Sequence, residues 1–338
     1  MLDDLNVIKQ RDPRRSFEAF EGSLSWLESS IRLSNPDHDG RHISECLVIG
    51  DQYAELAARL MQTAIGEDNR VSYSSILPAF ANSSTLVLLM GNSPELAACY
   101  QMARRRQCQI AVVSAQAELI SQASNDNVAH VHYQPVAGLP LADVAVLLRA
   151  GAALCSNFGF VKLADIDNRS YGQLKKSVVR WHTAVPMYEN YAKQTALLTV
   201  GKTPIFYDGH KTTGLGQYFA ACWHEIAKNL AFSQSYPDSA QTAQLSSWLS
   251  HPIEKPFLPL DIIATNDLKT QNMMENVDRL LSGRRPKAHQ IQTSGDSRLE
   301  ELLWGCYFAI ASAYYVALLN NVRPEASNIA AKLNRLAN

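Results

Sequence analysis

The sequence predicts an α/β protein built from two doubly wound subdomains, each a parallel sheet flanked by helices. Three observations carry that expectation. Short apolar runs such as Thr85–Met90 have the length and composition of strands buried on both faces. Each is followed by a helix-start signal and a helical stretch, the alternation of a parallel sheet with crossover helices. The alternation then recurs, more loosely, in the second half. At 338 residues, 46% apolar and 19% charged, the chain has ample material for a large core.

Taken in order, an N-terminal helical segment occupies residues 1–35, the first subdomain 36–165 and the second 195–338, closing helices included. A strand is expected over Glu45–Ile49 and a helix over Gln52–Ile65, with Asp51 as N-cap. Strand Thr85–Met90 leads to Gly91, Asn92, Ser93, Pro94 and Glu95, which read as an N-cap serine, a proline at N1 and an acid in the first turn. That helix ends in Arg104, Arg105 and Arg106, a solvated last turn where the dipole favours cations. Strands follow at Ile110–Ser114 and Val128–Tyr133 with a helix between them. A helix over Leu141–Cys155 comes after the Gly138–Pro140 turn. Beyond it, a polar helix is expected over Tyr171–Lys193, a strand at Thr203–Tyr207 and a helix at Leu215–Asn229. Strands at Leu258–Ala264 and His289–Gln292 precede a long helix from Ser297 to Leu319. Asn320, Asn321 and Pro324 break the chain before a last helix ending near Leu336.

Composition excludes several classes. Lys and Arg number 31 against 32 Asp and Glu, so no cationic field draws the chain to nucleic acid. No apolar run is expected to reach the ~20 residues of a membrane span. The N-terminus is charged from Asp3 onward, unlike a secretory signal, and the expectation is a cytoplasmic protein. Six scattered cysteines without a CxxC pair read as buried thiols. His130 and His132 sit at strand spacing, and no metal is assigned. Neither G-x-G-x-x-G nor the full phosphate-loop pattern G-x-x-x-x-G-K-[ST] occurs, since Gly201-Lys202-Thr203 has Ala196 where that pattern needs a glycine, so no nucleotide cofactor is implied. In doubly wound sheets ligands lie beyond the carboxyl ends of strands, which directs attention to Gly50–Tyr53, Gly91–Glu95 and Asp208–Leu215.

Those segments carry a family resemblance. The opening Met1–Pro13, the Gly91–Ser114 stretch, Gly201–Gly209, the Trp223–Phe232 block and the Ser297–Pro324 helix resemble, in order and spacing, the bifunctional phosphoglucose/phosphomannose isomerases of the sugar isomerase (SIS) fold. Gly91–Ser93 is similar to the family's SYSGNT phosphate segment, and His224–Lys228 to its NENAK block. The resemblance implies aldose–ketose isomerisation of glucose 6-phosphate or mannose 6-phosphate through an enediol, with no cofactor and a homodimeric assembly. It puts Glu225 at the catalytic base and Lys332 near a catalytic lysine. Gly50, Gly91, Asn92, Ser93 and Gln241 fall at substrate-binding positions. A base that moves a proton between C1 and C2 suits a partly desolvated carboxylate, and Trp223 is the neighbour expected to supply the apolar wall.

The sequence also departs from the family. Leu88 and Met90 replace hydroxyl residues of the phosphate segment, and Asp51 and Glu55 stand in its first glycine loop. Leu141 lies at or beside an arginine position. Gln241 takes the place of the ring-opening histidine and exchanges no proton near neutral pH; His210, His224 and His251 are the available substitutes. The alternative to an enzyme is therefore a catalytically degenerate SIS-fold protein that binds a sugar phosphate or related metabolite in a regulatory role. An isomerase whose substrate lacks the phosphate is a third possibility.

Overall fold

The computed structural model describes residues 1–28, 31–66, 68–162, 171–236, 245–250 and 256–325, with 327, 329, 332 and 336. Three short helices, α1 (Leu5–Arg11), α2 (Ser16–Gly22) and α3 (Ser25–Glu28), open the chain. The first sheet then alternates as β1 (Glu45–Gly50), α4 (Gln52–Ile65), β2 (Val71–Ser74), β3 (Thr85–Met90), α5 (Leu96–Arg105), β4 (Gln109–Ser114), α6 (Ala117–Asn125), β5 (Ala129–His132) and α7 (Pro140–Asn157). Helices α8 (Tyr171–Arg180) and α9 (Tyr191–Thr199) link it to the second. That sheet runs β6 (Thr203–Asp208), α10 (Leu215–Glu225), β7 (Phe232–Ser235), β8 (Phe257–Ile263), α11 (Leu268–Leu280), β9 (His289–Gln292) and α12 (Arg298–Leu319).

Among the described residues the sheets are five-stranded, ordered β2-β1-β3-β4-β5, and four-stranded, ordered β7-β6-β8-β9. Every strand pairing is parallel. The central strands β1 and β3 are buried on both faces, which is why their sequences run apolar without alternation. The α/β class and the two doubly wound sheets are as the sequence predicts.

Four readings need correction. The edge strands β2 and β7 and helix α11 carry no strong sequence signal and stand outside the expected elements. The stretch 171–193 is two helices, because Asn190 caps α9 by accepting from Lys193 N at 3.1 Å and so starts a new helix. Helix α10 stops at Glu225 rather than Asn229, and Lys228 turns back in the left-handed region at φ 53°. Helix α5 starts at Leu96 with Glu95 at its N-cap, so neither Ser93 nor Pro94 occupies its expected position. The last helix near Leu336 falls largely outside the described residues.

One continuous core joins the inner faces of both sheets through α4, α7, α10 and α12. Helix α12 is long and apolar enough to cross a membrane, contrary to the expectation from the sequence. Its apolar surface is spent on protein instead: Leu299–Leu318 are all buried, with Trp304, Phe308 and Tyr191 stacked beside Trp181. All six cysteines are buried free thiols.

Candidate functional site

At the carboxyl edge of the first sheet, β1 ends in Gly50 because nothing larger fits. A Cβ there would lie 2.2 Å from the Met90 carbonyl oxygen and 2.5 Å from Ala54 Cβ. Asp51 then caps α4, its Oδ1 accepting from Tyr53 N at 3.0 Å and Ala54 N at 3.1 Å. Gly91 turns the chain after β3 at φ 90°, with the Asp51 carboxylate 3.2 Å from where its Cβ would stand. Asn92 ties three loops together. Its Oδ1 accepts from Ala115 N at 3.0 Å, and its Nδ2 donates to the Tyr133 hydroxyl at 2.9 Å.

Ser93 is already engaged. Its hydroxyl donates to the Glu95 carboxylate, which holds that carboxyl below its usual range, and its carbonyl accepts from Gln116 Nε2 at 2.9 Å. Glu95 thus brings a negative charge to the residue expected to hold phosphate. The Leu141 side chain is buried, and its carbonyl accepts from Tyr218 at 2.7 Å. Near it, Asp143 in the first turn of α7 is 4% exposed and accepts from Val136 N at 2.8 Å. Burial pushes its pKa up to about 7, and the charge of Asp51 adds to the rise.

Glu225 is brought to this edge from the second subdomain. Helices α4 and α10 pack antiparallel: Tyr53 near the start of α4 meets Glu225 at the end of α10, while Thr63 meets Thr213 at the other end. Tyr53 Oη donates to Glu225 Oε2 at 3.1 Å. Lys228 donates through Nζ to the Glu225 carbonyl and, at 2.7 Å, to the Glu325 carbonyl. Burial raises the Glu225 pKa, opposed by the Tyr53 hydrogen bond and the Lys228 charge. Trp223 is not the wall expected from the sequence. Two residues earlier on a helix it points elsewhere, packing on Phe206 and Phe219 in the core.

The segment after α12 crosses beside this group. Glu325 Cγ lies 3.3 Å from the position of a Cβ on Gly138, and its carboxylate lies 3.8 Å from Arg14. The structure therefore gathers Gly50, Gly91, Asn92 and Ser93 on one edge. Lys332 is exposed, and Gln241 and His251 lie outside the described residues. His224 is bonded to the backbone of Ala231, Nε2 to carbonyl oxygen at 3.0 Å. Tyr53, Glu95, Asp143 and Glu325 were missed. Asp51 announced the helix start, but nothing in the sequence links Tyr53 to a glutamate 172 positions away.

Comparison with known proteins fits this fold. Residues 188–336 match the family described as the bacterial phospho-glucose isomerase C-terminal SIS domain. A glucose-6-phosphate isomerase like protein from Thermus thermophilus superposes with a TM-score of 0.62 at 19% identity, covering 96% of this chain and 98% of its own. Tagatose-6-phosphate ketose/aldose isomerase from Escherichia coli gives 0.59 at 14% identity, covering 90% and 89%. The C-terminal domain of glucosamine-fructose-6-phosphate aminotransferase from Francisella tularensis gives 0.60 at 9% identity, covering 94% and 96%. No curated protein sequence matches the chain. At these identities the solved structures establish a common fold.

Proposed function

We propose that this chain, a SIS-fold protein of the phosphoglucose isomerase-like family, is an aldose–ketose isomerase in which Glu225 is the base. The observation that carries the reading is the placement of Glu225. It is a partly buried carboxyl of raised pKa, brought from one subdomain to the carboxyl edge of the other sheet. In the reaction Glu225 removes the C2 proton of the open-chain aldose while O1 takes a proton from solvent, leaving an enediol. Glu225 then returns its proton to C1 as O2 releases its own to solvent, giving the ketose. The Tyr53 hydrogen bond fixes Oε2 and leaves Oε1 for the substrate. The Lys228 charge keeps part of the carboxyl ionised. Glucose 6-phosphate or mannose 6-phosphate, giving fructose 6-phosphate, is the substrate this reading takes from the family. Gly50, Gly91, Asn92, Ser93 and Gln241 would surround it, with Lys332 nearby. A cytoplasmic homodimer without a cofactor belongs to the same reading.

A second reading, a sugar-phosphate-binding protein without turnover, is favoured by one specific observation. The helix N-termini that would hold a phosphate are filled by the chain's own acids. Asp51 accepts from the first turn of α4, Glu95 stands at the start of α5, and Asp208 accepts from Gly214 N and Gly216 N before α10. Each competes with a dianion for the donors it needs.

A coupled assay for fructose 6-phosphate, run with both hexose phosphates on wild type and Glu225→Gln, separates the two. Isomerase chemistry predicts turnover that falls by about 10²–10⁴-fold in the variant, with the melting temperature kept. A folded wild type without turnover at millimolar substrate, yet binding the hexose phosphate, overturns the enzyme and leaves the binding protein.

A further inference from the structure

We propose that a cleft between α4 and the carboxyl edge of the second sheet binds a neutral polyol such as an unphosphorylated sugar, apart from Glu225. Helices α4 and α10 pack antiparallel: at one end Tyr53 meets Glu225, and at the other the loop before α10 meets the last turns of α4, where Thr63 Oγ1 donates to the Thr213 carbonyl at 2.8 Å. Along the face of α4 from Glu55 to Thr63 a cavity of about 390 Å³ is lined by Glu55, Arg59, Tyr73, Thr213, Gln217 and Ser235, among others, and by neither Tyr53 nor Glu225. That volume suits one small ligand. Gln217 precedes Glu225 by eight residues of helix, about 12 Å at 1.5 Å per residue, so one monosaccharide does not fill both places.

The lining chemistry selects the ligand class. An anion is disfavoured, because Asp208 already accepts from Gly214 N at 3.0 Å and Gly216 N at 2.8 Å and is itself buried. Arg59, the one cation among the lining residues, is paired with Glu55 at 2.8 Å. What remains is a mixture of neutral donors and acceptors. The Gln217 amide makes no hydrogen bond among the described residues and offers both. The Ser235 hydroxyl lies beside the Asp208 carboxylate, whose pKa it lowers, and lines the cleft as both donor and acceptor. The Arg59–Glu55 pair has donors and an acceptor to spare, and Tyr73 contributes its ring while its hydroxyl donates to the Gly50 carbonyl at 3.1 Å. A hydroxyl is donor and acceptor at once, so a ring of hydroxyls matches such a surface where a phosphate does not.

Isothermal titration of the full chain with glucose and mannose tests this, with inorganic phosphate as a competing anion. The expected result is saturable binding of a neutral hexose that phosphate does not displace. It should weaken by about fivefold in Gln217→Leu, the loss of one hydrogen bond, and persist in Glu225→Gln. The proposal is overturned if neither neutral hexose binds saturably, or if inorganic phosphate displaces the bound hexose. Binding that Gln217→Leu spares and Glu225→Gln abolishes would place the ligand at Glu225 and equally overturn it. Because the readout is binding, it stands whether or not the chain turns over hexose phosphates.

Discussion

Tyr53 is the residue that tunes Glu225. Its hydroxyl stabilises the charged carboxylate, so Tyr53→Phe removes an interaction that lowers the Glu225 pKa while burial, which raises it, remains. The pKa of Glu225 should climb further, because only burial and the Lys228 charge then act on it. The ascending limb of the pH–rate profile should move to higher pH with it. In a protein without turnover, the carboxyl titration followed by carbon NMR should show it. A limb that stays put or moves down would mean that the phenol does not bond the carboxylate in solution. At this scale the sequence was half legible. Glu225 stood out through the block around it, whereas Tyr53, Asp143 and Glu95 gain their meaning only from neighbours that the chain brings together.

The same holds for the helix starts. Asp51 was readable as the N-cap of α4 because the signal is local, an acid ahead of an apolar-periodic stretch. Its consequence for binding was also visible, as an acid in a loop where the resemblance implies glycines. Asp51→Ala should cost about 1 kcal/mol in urea unfolding, the usual loss of an N-cap, and should free Tyr53 N and Ala54 N. Inorganic phosphate, with little effect on the wild type, should then raise the melting temperature of the variant. If it protects both equally, the cap is not what closes this end of α4 to anions. Helix α5 shows the limit of local signals: Ser93, Pro94 and Glu95 fit a start two residues earlier, yet the serine hydroxyl turns to Glu95 and the helix waits until Leu96. Two competing local hydrogen bonds of similar strength are not ranked by sequence.

Across the whole molecule, three buried carboxyls share one property. Burial pushes the pKa of Asp143, Asp208 and Asp261 up to about 7, against about 3.9 in an unfolded chain. Between those values the folded protein binds more protons than the unfolded one, so these groups lower stability as pH rises from about 4 to 7. Denaturant midpoints should therefore fall across that window. Asp143→Asn should flatten part of the fall, since an amide pays no charge penalty at pH 7. A midpoint that rises through the window in both proteins, with identical slopes, would show that Asp143 ionises freely when folded. The same burial organises the fold: α12, which by length and apolarity could span a membrane, is consumed as the packing surface shared by both sheets.

By itself the sequence determined the class, the central strands and most helices, because burial on both faces and helix capping are written in consecutive residues. Only the tertiary structure decided that Glu225 belongs with Tyr53 and Lys228 rather than Trp223. The same is true of the cleft between α4 and the loop before α10, and of strands β2 and β7. Each of these two strands is four residues long without a buried position, and so carries little hydrophobic pattern. The rest depends on side chains more than a hundred residues apart, whose meeting is fixed by the antiparallel packing of two helices and by no local propensity.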